Sequence, residues 1–401
     1  MKPPLLFLTQ RIPYPPNKGE KLRSLQILRH LRETYDVHLG TLVDDPRDIE
    51  HIPTVEALCA SAHFGIIDRR RAKITCLRGL VTGEPLSVTF YRDRGLDAWI
   101  TATIARVAPV AMVVCSSNMA PYVLDRHQAG RVCLVDLVDV DSEKWRAYAE
   151  VGGAIMRWVH RREWRQTAAL ESRIAAECTW STFVSAEEAA LFRGQQPAAA
   201  GRIRSISNGV DHAYFDPALP VAPVYDTARR NFVFTGTMDY PPNIDAVTWF
   251  ATDILPQIQR TAPDAQFHIV GSSPAAPVQA LANRPGVFVT GRVPDVRPYV
   301  AHATAAVAPM RIARGIQNKV LEAMAMARTV VLTADALEGI HAVPAAEVIL
   351  ANTADDFTQA CLAPVDPAVG AAARRRVLSD YSWPALLSGF DPLLASSTMP
   401  A

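Results

Sequence analysis

The stretch AAVAPMRIARGIQNKVLEAMAMARTVVLT, residues 305–333, contains an apolar run, a basic loop, a helical pattern and a second apolar run. The two apolar runs, AAVAPM and TVVLT, have the length and composition of buried strands. The helix between them is predicted to begin near Asn318. Strand, helix and strand in this order are typical of a parallel sheet whose connections are helices.

The same alternation continues over the whole chain. The first half contains the strand candidates LLFLT, DVHLGTL, AHFGII, VAMVVCS, RVCLVDLVD, STFVS and RIRSISN. The second half contains NFVFTG, QFHIVG, GVFVTG, AAVAPM, TVVLT and EVILA. Because 401 residues exceed the usual size of one core, we predict an α/β protein with two doubly wound, Rossmann-like domains.

A linker is predicted between the two domains. FDPALPVAPVYDTARR, residues 215–230, has three prolines and no hydrophobic periodicity. The first domain is therefore assigned to residues 1–214 and the second to residues 231–383. After the second domain, a Trp-Pro step inside an amphipathic pattern predicts a kinked helix over about 384–401.

The bulk composition excludes several classes of protein. With 41 basic and 40 acidic side chains, the chain lacks the strongly positive electrostatic potential of a dedicated nucleic-acid-binding protein. No apolar run is long enough to span a bilayer, and the apolar start is too short for a signal peptide. Six scattered cysteines without a Cys-x-x-Cys pair favour reduced thiols. We predict a cytoplasmic protein, with peripheral membrane association left open.

Glycines that follow strands indicate where an anion could bind. Gly236 and Thr237 follow NFVFT and precede a helix, and the basic loop after AAVAPM precedes another. At the carboxyl edge of one domain the two connections favour an anion pocket, although each alone is explained by turn geometry. In the first domain, Gly19 lies between Lys18 and Lys21 just before a helix, which indicates either a facing contact or a solvated helix start.

Lys319 and Glu322 share one face of the helix that begins near Asn318. As a surface ion pair they would contribute little. The functional interpretation places Lys319 beside a diphosphate and makes Glu322 the acceptor for two vicinal hydroxyls.

Three aspartates in LVDLVDVDSEKWRAY lie at and beyond the carboxyl end of a strand: Asp136, Asp139 and Asp141. Alternation along the strand sends neighbours to opposite faces, and no His or Glu completes a ligand set, so a metal site is not predicted. Asp139 or Asp141 could bind an acceptor hydroxyl or act as a catalytic base. The alternative is loop capping.

IMRWVHRREWRQ, residues 155–166, combines Trp158 and Trp164 with several arginines on a predicted helix. Such a helix could lie on an anionic membrane surface that carries a lipid-linked acceptor. The alternative is an ordinary surface helix with packed stems and solvated charges.

Together these motifs resemble the family-four retaining glycosyltransferases of the GT-B type, which have two Rossmann-like domains facing across a cleft. The likeness rests on PPNKGEKLRSLQILRHLRETYDVHLGTL, FVSAEEAALF, ISNGVDHAYFDP, GRVPDVRPYVAHATAAVAP, LEAMAMARTVV and YSWPALL. IPYPPNKGEKLRS, DLVDVDSEKW and QNKVLEAMA are closest to sugar transferases of bacterial exopolysaccharide clusters and the exosortase (PEP-CTERM) system.

The resemblance implies a donor and an acceptor domain. A nucleotide-diphosphate sugar would bind the second domain and a glycan or lipid-linked acceptor the first, without a cofactor or a divalent metal. Glu322 would bind ribose hydroxyls, Lys319 would bind the diphosphate, and Gly236 and Thr237 would lie under the phosphates. Gly19 would approach from the first domain, where Lys18 and Lys21 would lie on the acceptor side. Residues after about 383 would pack back on the first domain.

The sequence also departs from the family. The first of two glutamates usual in the family is Arg314 here, and the glycine turn has Met238 and Asn243 instead of a flanking Arg and Lys. We therefore expect Arg311, Arg314 and Lys319 to supply the positive charge from one loop. Two alternatives to a glycosyltransferase stay open. One is a non-catalytic GT-B protein that binds a nucleotide or a partner, and the other is a nucleotide-sugar epimerase.

Overall fold

A computed structural model describes residues 2–16, 18–126, 131–150, 153–313 and 316–395, except for the side chains of Arg78 and Val81. The chain divides into two compact units. The first consists of the residues up to Asn208 together with those from Leu386 onward, and the second is Gly209–Ala385. Within the described ranges no helix is long and apolar enough to cross a membrane.

The first unit is built on a parallel sheet. Its strands are β1 Pro4–Thr9, β2 Asp36–Val43, β3 Ser61–Ile66, β4 Ala111–Cys115, β5 Val132–Val138, β6 Trp180–Phe183 and β7 Ile203–Ser205. They are arranged in the order β3-β2-β1-β4-β5-β6-β7. Leu5 pairs with Val37 on one side and with Ala111 on the other, so β1 lies in the middle and is buried on both faces.

Helices connect these strands because parallel neighbours cannot be joined by tight turns. They are α1 Gly19–Thr34, α2 Ile52–Glu56, α3 Arg69–Thr75, α4 Gly79–Thr82, α5 Leu86–Phe90, α6 Arg94–Val107, α7 Pro121–Leu124, α8 Asp141–Tyr148, α9 Ala154–Glu177 and α10 Ala186–Gln195.

The second unit repeats the plan with a shorter sheet. Its strands are β8 Asn231–Thr235, β9 Gln266–Val270, β10 Val287–Gly291, β11 Ala305–Ala308, β12 Val330–Leu332 and β13 Ile349–Leu350. The order is β10-β9-β8-β11-β12-β13, and every pair is parallel. All thirteen predicted strands are therefore present, which confirms the α/β fold class.

The remaining helices are α11 Pro241–Trp249, α12 Leu255–Thr261, α13 Ala276–Leu281, α14 Arg297–Ala301, α15 Asn318–Ala325, α16 Ala334–Leu337, α17 Ala354–Leu362, α18 Pro367–Arg376, α19 Trp383–Leu387 and α20 Phe390–Ala395. A π-helical turn, Phe250–Ile254, joins α11 to α12. It precedes Pro256, whose ring and missing N–H disfavour a regular helix at that point.

The order of the strands marks the ligand edge of each sheet. In both sheets the chain reverses its direction of growth beside the first strand, between β1 and β4 and between β8 and β11. Doubly wound sheets bind ligands at the carboxyl ends of the strands next to this reversal. Ligand-binding residues are thus expected directly after β1, β4, β8 and β11.

The residues predicted to form a linker, 215–230, contain no strand or helix, yet they are anchored to the second unit. Phe215 is buried in the core of that unit, and the Tyr225 hydroxyl donates to the Tyr299 carbonyl. The unit boundary, between Asn208 and Gly209, precedes the predicted linker by several residues.

The C-terminal helix predicted over about 384–401 is divided into α19 and α20, and residues 396–401 lie outside the described ranges. Gly389 separates the two helices, and a Cβ there would lie 3.2 Å from the Leu386 carbonyl oxygen. α20 packs against β5, and Asp391 Oδ1 lies 2.7 Å from His30 Nε2 on α1.

Candidate functional site

At the carboxyl edge of the second sheet, the loops after β8 and β9 touch through their backbones. A Cβ at Gly271 would lie 1.6 Å from the Gly236 carbonyl oxygen, so only glycine fits there. The Gly236 N–H donates to the Val270 carbonyl at 3.1 Å, and the Met238 N–H donates to the Ser272 carbonyl at 2.8 Å. This contact fixes the turn and leaves Thr237 exposed at the edge.

Asn243 connects the glycine turn to the helix after β11. Its side chain is buried on α11, and its Nδ2 donates to the Thr237 carbonyl at 2.8 Å. The same amide fills the space that a Cβ on Gly236 would need. Its Oδ1 accepts a hydrogen bond from Lys319 Nζ at 3.0 Å. The structure thus brings together Gly236, Thr237 and Lys319. Asn243, which stands where the family usually has a basic residue, connects them through its neutral amide.

Lys319 is a half-buried ammonium whose partners are neutral. Besides Asn243, its Nζ donates to Gln317 Oε1 at 3.2 Å and lies 4.9 Å from the centroid of the Phe234 ring. Among the residues that the structure describes, no carboxylate hydrogen-bonds to it. Burial lowers its pKa to about 8, although nearby Glu322 acts in the opposite direction. Lys319 can therefore supply positive charge to an anion without first breaking an ion pair.

Glu322 lies one helical turn after Lys319 on α15 and is half-buried. Burial raises the pKa of its carboxyl to about 7, and the nearby Lys319 only partly opposes this shift. No described residue donates a hydrogen bond to this carboxylate. Among the described residues, none therefore competes with the hydroxyls of a ligand for its oxygens, and the carboxyl is only partly ionised near neutral pH.

The basic loop after β11 contains two arginines, Arg311 and Arg314. The Arg311 guanidinium binds Asp245 through Nε and Oδ2 at 3.0 Å and lies 5.1 Å from the centroid of the Trp249 ring. Its charge is therefore already neutralised by a carboxylate on α11. Arg314 lies outside the described residues. The shared positive charge predicted for Arg311, Arg314 and Lys319 stays a prediction.

At the start of α1 in the first unit, the predicted acceptor residues have different environments. Lys18 is exposed at the N-cap, and a Cβ on Gly19 would meet no atom within 4 Å. Lys21 is buried, and its Nζ donates to Asp48 Oδ2 at 2.8 Å. An acceptor could reach Lys18 directly, whereas Lys21 would first have to leave its carboxylate.

Asp136 belongs to a buried ion pair in the core of the first unit. Arg23 Nε and Nη2 donate to its two carboxylate oxygens at 2.7 and 2.8 Å, and Thr182 Oγ1 donates at 2.8 Å. Arg23 also donates to the Ile206 carbonyl and to Asn208 Oδ1. These bonds tie α1 to β5 and to the segment after β7, which gives Asp136 a structural role.

Asp139 and Asp141 lie half-buried at the carboxyl end of β5, where both carboxylates accept from Lys144 Nζ, at 2.8 and 3.2 Å. Ser117 Oγ also donates to Asp141 at 3.1 Å. Among the described residues, no three His, Cys, Asp or Glu side chains come together as a metal site would require. The catalytic roles of both aspartates stay predictions.

Sequence reasoning missed a polar cluster beside the reversal point of the first sheet. Ser116 Oγ donates to Gln10 Oε1 at 2.7 Å, and Arg11 donates to Asp44 Oδ2 and to the Tyr91 hydroxyl at 3.0 and 2.8 Å. A cavity of about 30 Å³ opens beside Gln10, Arg11 and Ser116. The available signal was the polar residues directly after the buried runs LLFLT and MVVC.

Backbone strain occurs at the same edge. Ser116 has φ 81° and Val138 has φ 72°, although a β-branched residue strongly disfavours the left-handed region. The two residues follow β4 and end β5, and both line the 30 Å³ cavity. Strain of this kind persists only where the surrounding structure enforces it and is concentrated at functional sites.

Comparisons with known proteins agree with this architecture. Residues 229–366 match the profile of the family described as "Glycosyl transferases group 1". No curated protein sequence is significantly similar to the chain. Membership of family four and the association with the exosortase system stay predictions.

Solved structures show the fold. Sucrose-phosphate synthase from Thermosynechococcus elongatus is similar over 98% of both chains, with 18% identity and a TM-score of 0.62. A glycosyltransferase from Rickettsia africae is similar over 98% of both chains, with 13% identity and a TM-score of 0.62. HepE from Anabaena, in complex with UDP-glucose, is similar over 98% of this chain and 99% of its own, with 12% identity and a TM-score of 0.60. The chain therefore adopts the GT-B fold, and residues 229–366 of its second unit are similar to group 1 glycosyltransferases.

Proposed function

We propose that the protein transfers a sugar, with retention of anomeric configuration, from a nucleotide-diphosphate sugar to a glycan or a lipid-linked acceptor. In line with the resemblance of its motifs, we assign this reaction to exopolysaccharide biosynthesis. The observation that carries the proposal is Lys319, a half-buried cation with neutral partners, next to a glycine turn and one helical turn before Glu322. HepE, which shares the fold, was solved in complex with UDP-glucose, and this supports a nucleotide sugar as the donor.

The arrangement suits the two ends of a nucleoside diphosphate. Lys319 would bind the diphosphate by a charge-assisted hydrogen bond, and the exposed residue Thr237 would approach the phosphates. Glu322 would accept both ribose hydroxyls, because one carboxylate offers two oxygens. Side chains three residues apart share a helix face, so both contacts can be made from the same side of α15.

The distribution of ion pairs supports the division into donor and acceptor sides. In the first unit, Arg11, Lys21 and Arg23 each hydrogen-bond to a carboxylate. An anion would have to compete with those carboxylates, whereas no described carboxylate hydrogen-bonds to the ammonium of Lys319. The carboxyl edge of the first sheet is therefore better suited to the neutral hydroxyls of a sugar acceptor. Asp139 or Asp141 could accept hydrogen bonds from these hydroxyls.

The reaction as proposed requires little chemistry from the protein. The positive charge of Lys319 would stabilise the leaving diphosphate as its bond to the sugar breaks. In a front-face retaining transfer, the leaving phosphate oxygen can take the proton of the attacking acceptor hydroxyl. A protein base, a metal and a cofactor are then not required by the proposal.

Nucleotide binding tests the proposal directly. We expect UDP-, GDP- or ADP-sugars to raise the melting temperature, because a ligand of the folded state stabilises it. Replacing Lys319 by Gln or Glu322 by Gln should weaken donor binding about 10- to 100-fold, the range expected for a hydrogen bond to a charged group. Calorimetric titration measures this. Glu338→Gln, at an exposed glutamate of the same unit, should leave the affinity unchanged.

Three outcomes separate the possible functions. No binding of any nucleotide sugar at millimolar concentration would contradict the proposal. Binding without transfer, unchanged in Arg314→Glu, would favour the non-catalytic alternative suggested by Arg314. Release of an epimerised sugar nucleotide in the absence of any acceptor would favour the epimerase.

A further inference from the structure

Two segments of the first unit expose large apolar side chains to solvent. One is the 69–80 segment, which includes α3 and the start of α4, and the other is the first half of α9, residues 154–165. The exposed apolar residues are Ile74, Leu77 and Leu80 in the former and Ile155, Met156 and Trp158 in the latter. Ile74 is 72% exposed and Ile155 is 79% exposed, so neither contributes to the core.

The structure joins these segments, which are about eighty residues apart in the sequence. The Arg162 guanidinium donates to the carbonyls of Gly79 and Glu84, and the Leu86 N–H donates to Glu163 Oε2 at 2.8 Å. Ile155 and Trp158 precede Arg162 by seven and four residues, so they lie on the helix face that meets the 69–80 segment. The exposed side chains of the two joined segments are here called the α3–α9 surface. On α9, Arg161 and Arg165 lie beside Ile155 and Trp158, whereas Met156 and Arg157 lie on other faces of the helix.

The charge on the α3–α9 surface is almost entirely positive. Arg69, Arg70 and Lys73 in the first segment and Arg157, Arg161 and Arg165 in the second are exposed. None of these six has a carboxylate partner among the described residues. Arg71 is the exception, because its Nε lies 3.5 Å from Asp68. Charge of one sign around an apolar centre complements an anionic, apolar layer.

We propose that the α3–α9 surface binds the anionic face of a lipid bilayer. The apolar side chains, Trp158 among them, would insert at the level of the headgroups, and the six unpaired cations would interact with acidic lipids. A soluble protein partner of opposite charge would have to supply carboxylates and a matching apolar groove together. A bilayer of acidic lipids supplies both without a specific sequence, and therefore fits better.

The position of the surface connects it to the ligand edge of the first sheet. α8 begins directly after β5 and the loop with Asp139, and its Trp145 ring lies 5.7 Å from that of His160 on α9. The first turns of α9 are thus held beside the carboxyl edge that carries Asp139 and Asp141. A bilayer bound here would present a lipid-borne molecule to that edge. The binding itself does not depend on sugar transfer and can be measured without a donor.

Vesicle co-sedimentation of the full chain tests the proposal. Vesicles of phosphatidylcholine mixed with phosphatidylglycerol should bind the protein, and vesicles of phosphatidylcholine alone should not. Arg161→Glu/Arg165→Glu, at two exposed arginines on the side of α9 that carries Trp158, should weaken binding at least about 25-fold, taking roughly fivefold for each basic residue lost. Ile155→Ser/Trp158→Ser should also weaken binding. Added salt should weaken binding of the wild type more than binding of the charge variant.

Matched controls come from the second unit. Arg260→Glu/Arg284→Glu makes the same charge change at exposed arginines, and Leu219→Ser/Val224→Ser removes two exposed apolar side chains. Both controls should bind like the wild type. Three results would overturn the proposal: no binding to the acidic vesicles, equal loss in variants and controls, or a wild-type dimer in solution that the variants dissociate.

Discussion

Lys319 and Glu322 both titrate close to neutral pH, for the same reason. Burial disfavours the charged form of each group, so it lowers the pKa of Lys319 to about 8 and raises that of Glu322 to about 7. Lys319 would assist this site as an ammonium and Glu322 as a carboxylate. The affinity of this site for the nucleotide-sugar donor should therefore depend on pH.

Affinity for the donor should be highest between about pH 7 and pH 8. Below pH 7 Glu322 becomes protonated and loses acceptor capacity, so affinity should rise as the pH increases through about 7. Above pH 8 Lys319 loses its charge, so affinity should fall as the pH increases through about 8. Calorimetric titration over this range measures both limbs. Glu322→Gln should abolish the acidic limb only, and a wild-type affinity independent of pH would contradict these roles.

At the scale of single elements, α1 carries two cations into the core of the first unit. Lys21 and Arg23 are each about 2% exposed and are bound to Asp48 and Asp136. A buried pair contributes little net stability over an apolar pair, but removal of one partner leaves a buried charge uncompensated. The pair is thus tolerant of joint replacement and intolerant of single replacement.

Asp136→Ala should therefore destabilise the first unit by about 3–5 kcal/mol, because the Arg23 guanidinium stays buried without its carboxylate. Native-state hydrogen exchange at the amides of β1 and β5 measures this loss in the unit concerned. Asp125→Ala, which removes an exposed partner of Arg173, should cost at most about 1 kcal/mol. Equal effects of the two variants, or no recovery in Arg23→Met/Asp136→Leu, would contradict this interpretation of the buried pair.

At the scale of the whole molecule, only one of the two units is formed by a continuous stretch of sequence. The second is one continuous stretch, whereas the first needs the residues from Leu386 onward. In that segment Phe390, Leu393 and Leu394 are buried. Helix α20 is therefore part of the fold of the first unit.

Truncation after Ala385 should destabilise the first unit and leave the second almost unchanged. Burial of a large apolar side chain contributes about 1.5–3 kcal/mol, so the loss of Phe390, Leu393 and Leu394 amounts to several kcal/mol. Hydrogen exchange resolved by unit measures the difference. Truncation after Ala395, which keeps α20, is the matched control for the loss of this helix. Equal protection of both units after the longer truncation would show that α20 contributes nothing to the first unit.

The sheets were predictable because buried parallel strands appear in the sequence as short apolar runs, such as LLFLT and NFVFT. Lys319, Glu322 and the glycine turn could be assigned to one edge from the order of elements alone. Contacts between residues far apart in the sequence could not be predicted in this way. The bond between Arg23 and Asp136 spans 113 positions, and that between Asn243 and Lys319 spans 76. No local pattern encodes such a pairing, and the same holds for the two halves of the α3–α9 surface.

The shared strand order of the two sheets has a consequence for how such a protein can change. Both units use one scaffold, yet Arg11 of the first unit is paired with Asp44, whereas Lys319 of the second has neutral hydrogen-bond partners. The difference lies in loops and helix starts, not in the strands. Exchange of the segments after β8, β9 and β11 could therefore redirect the choice of ligand while the packed interior stays as it is, and this offers a route for divergence and for redesign.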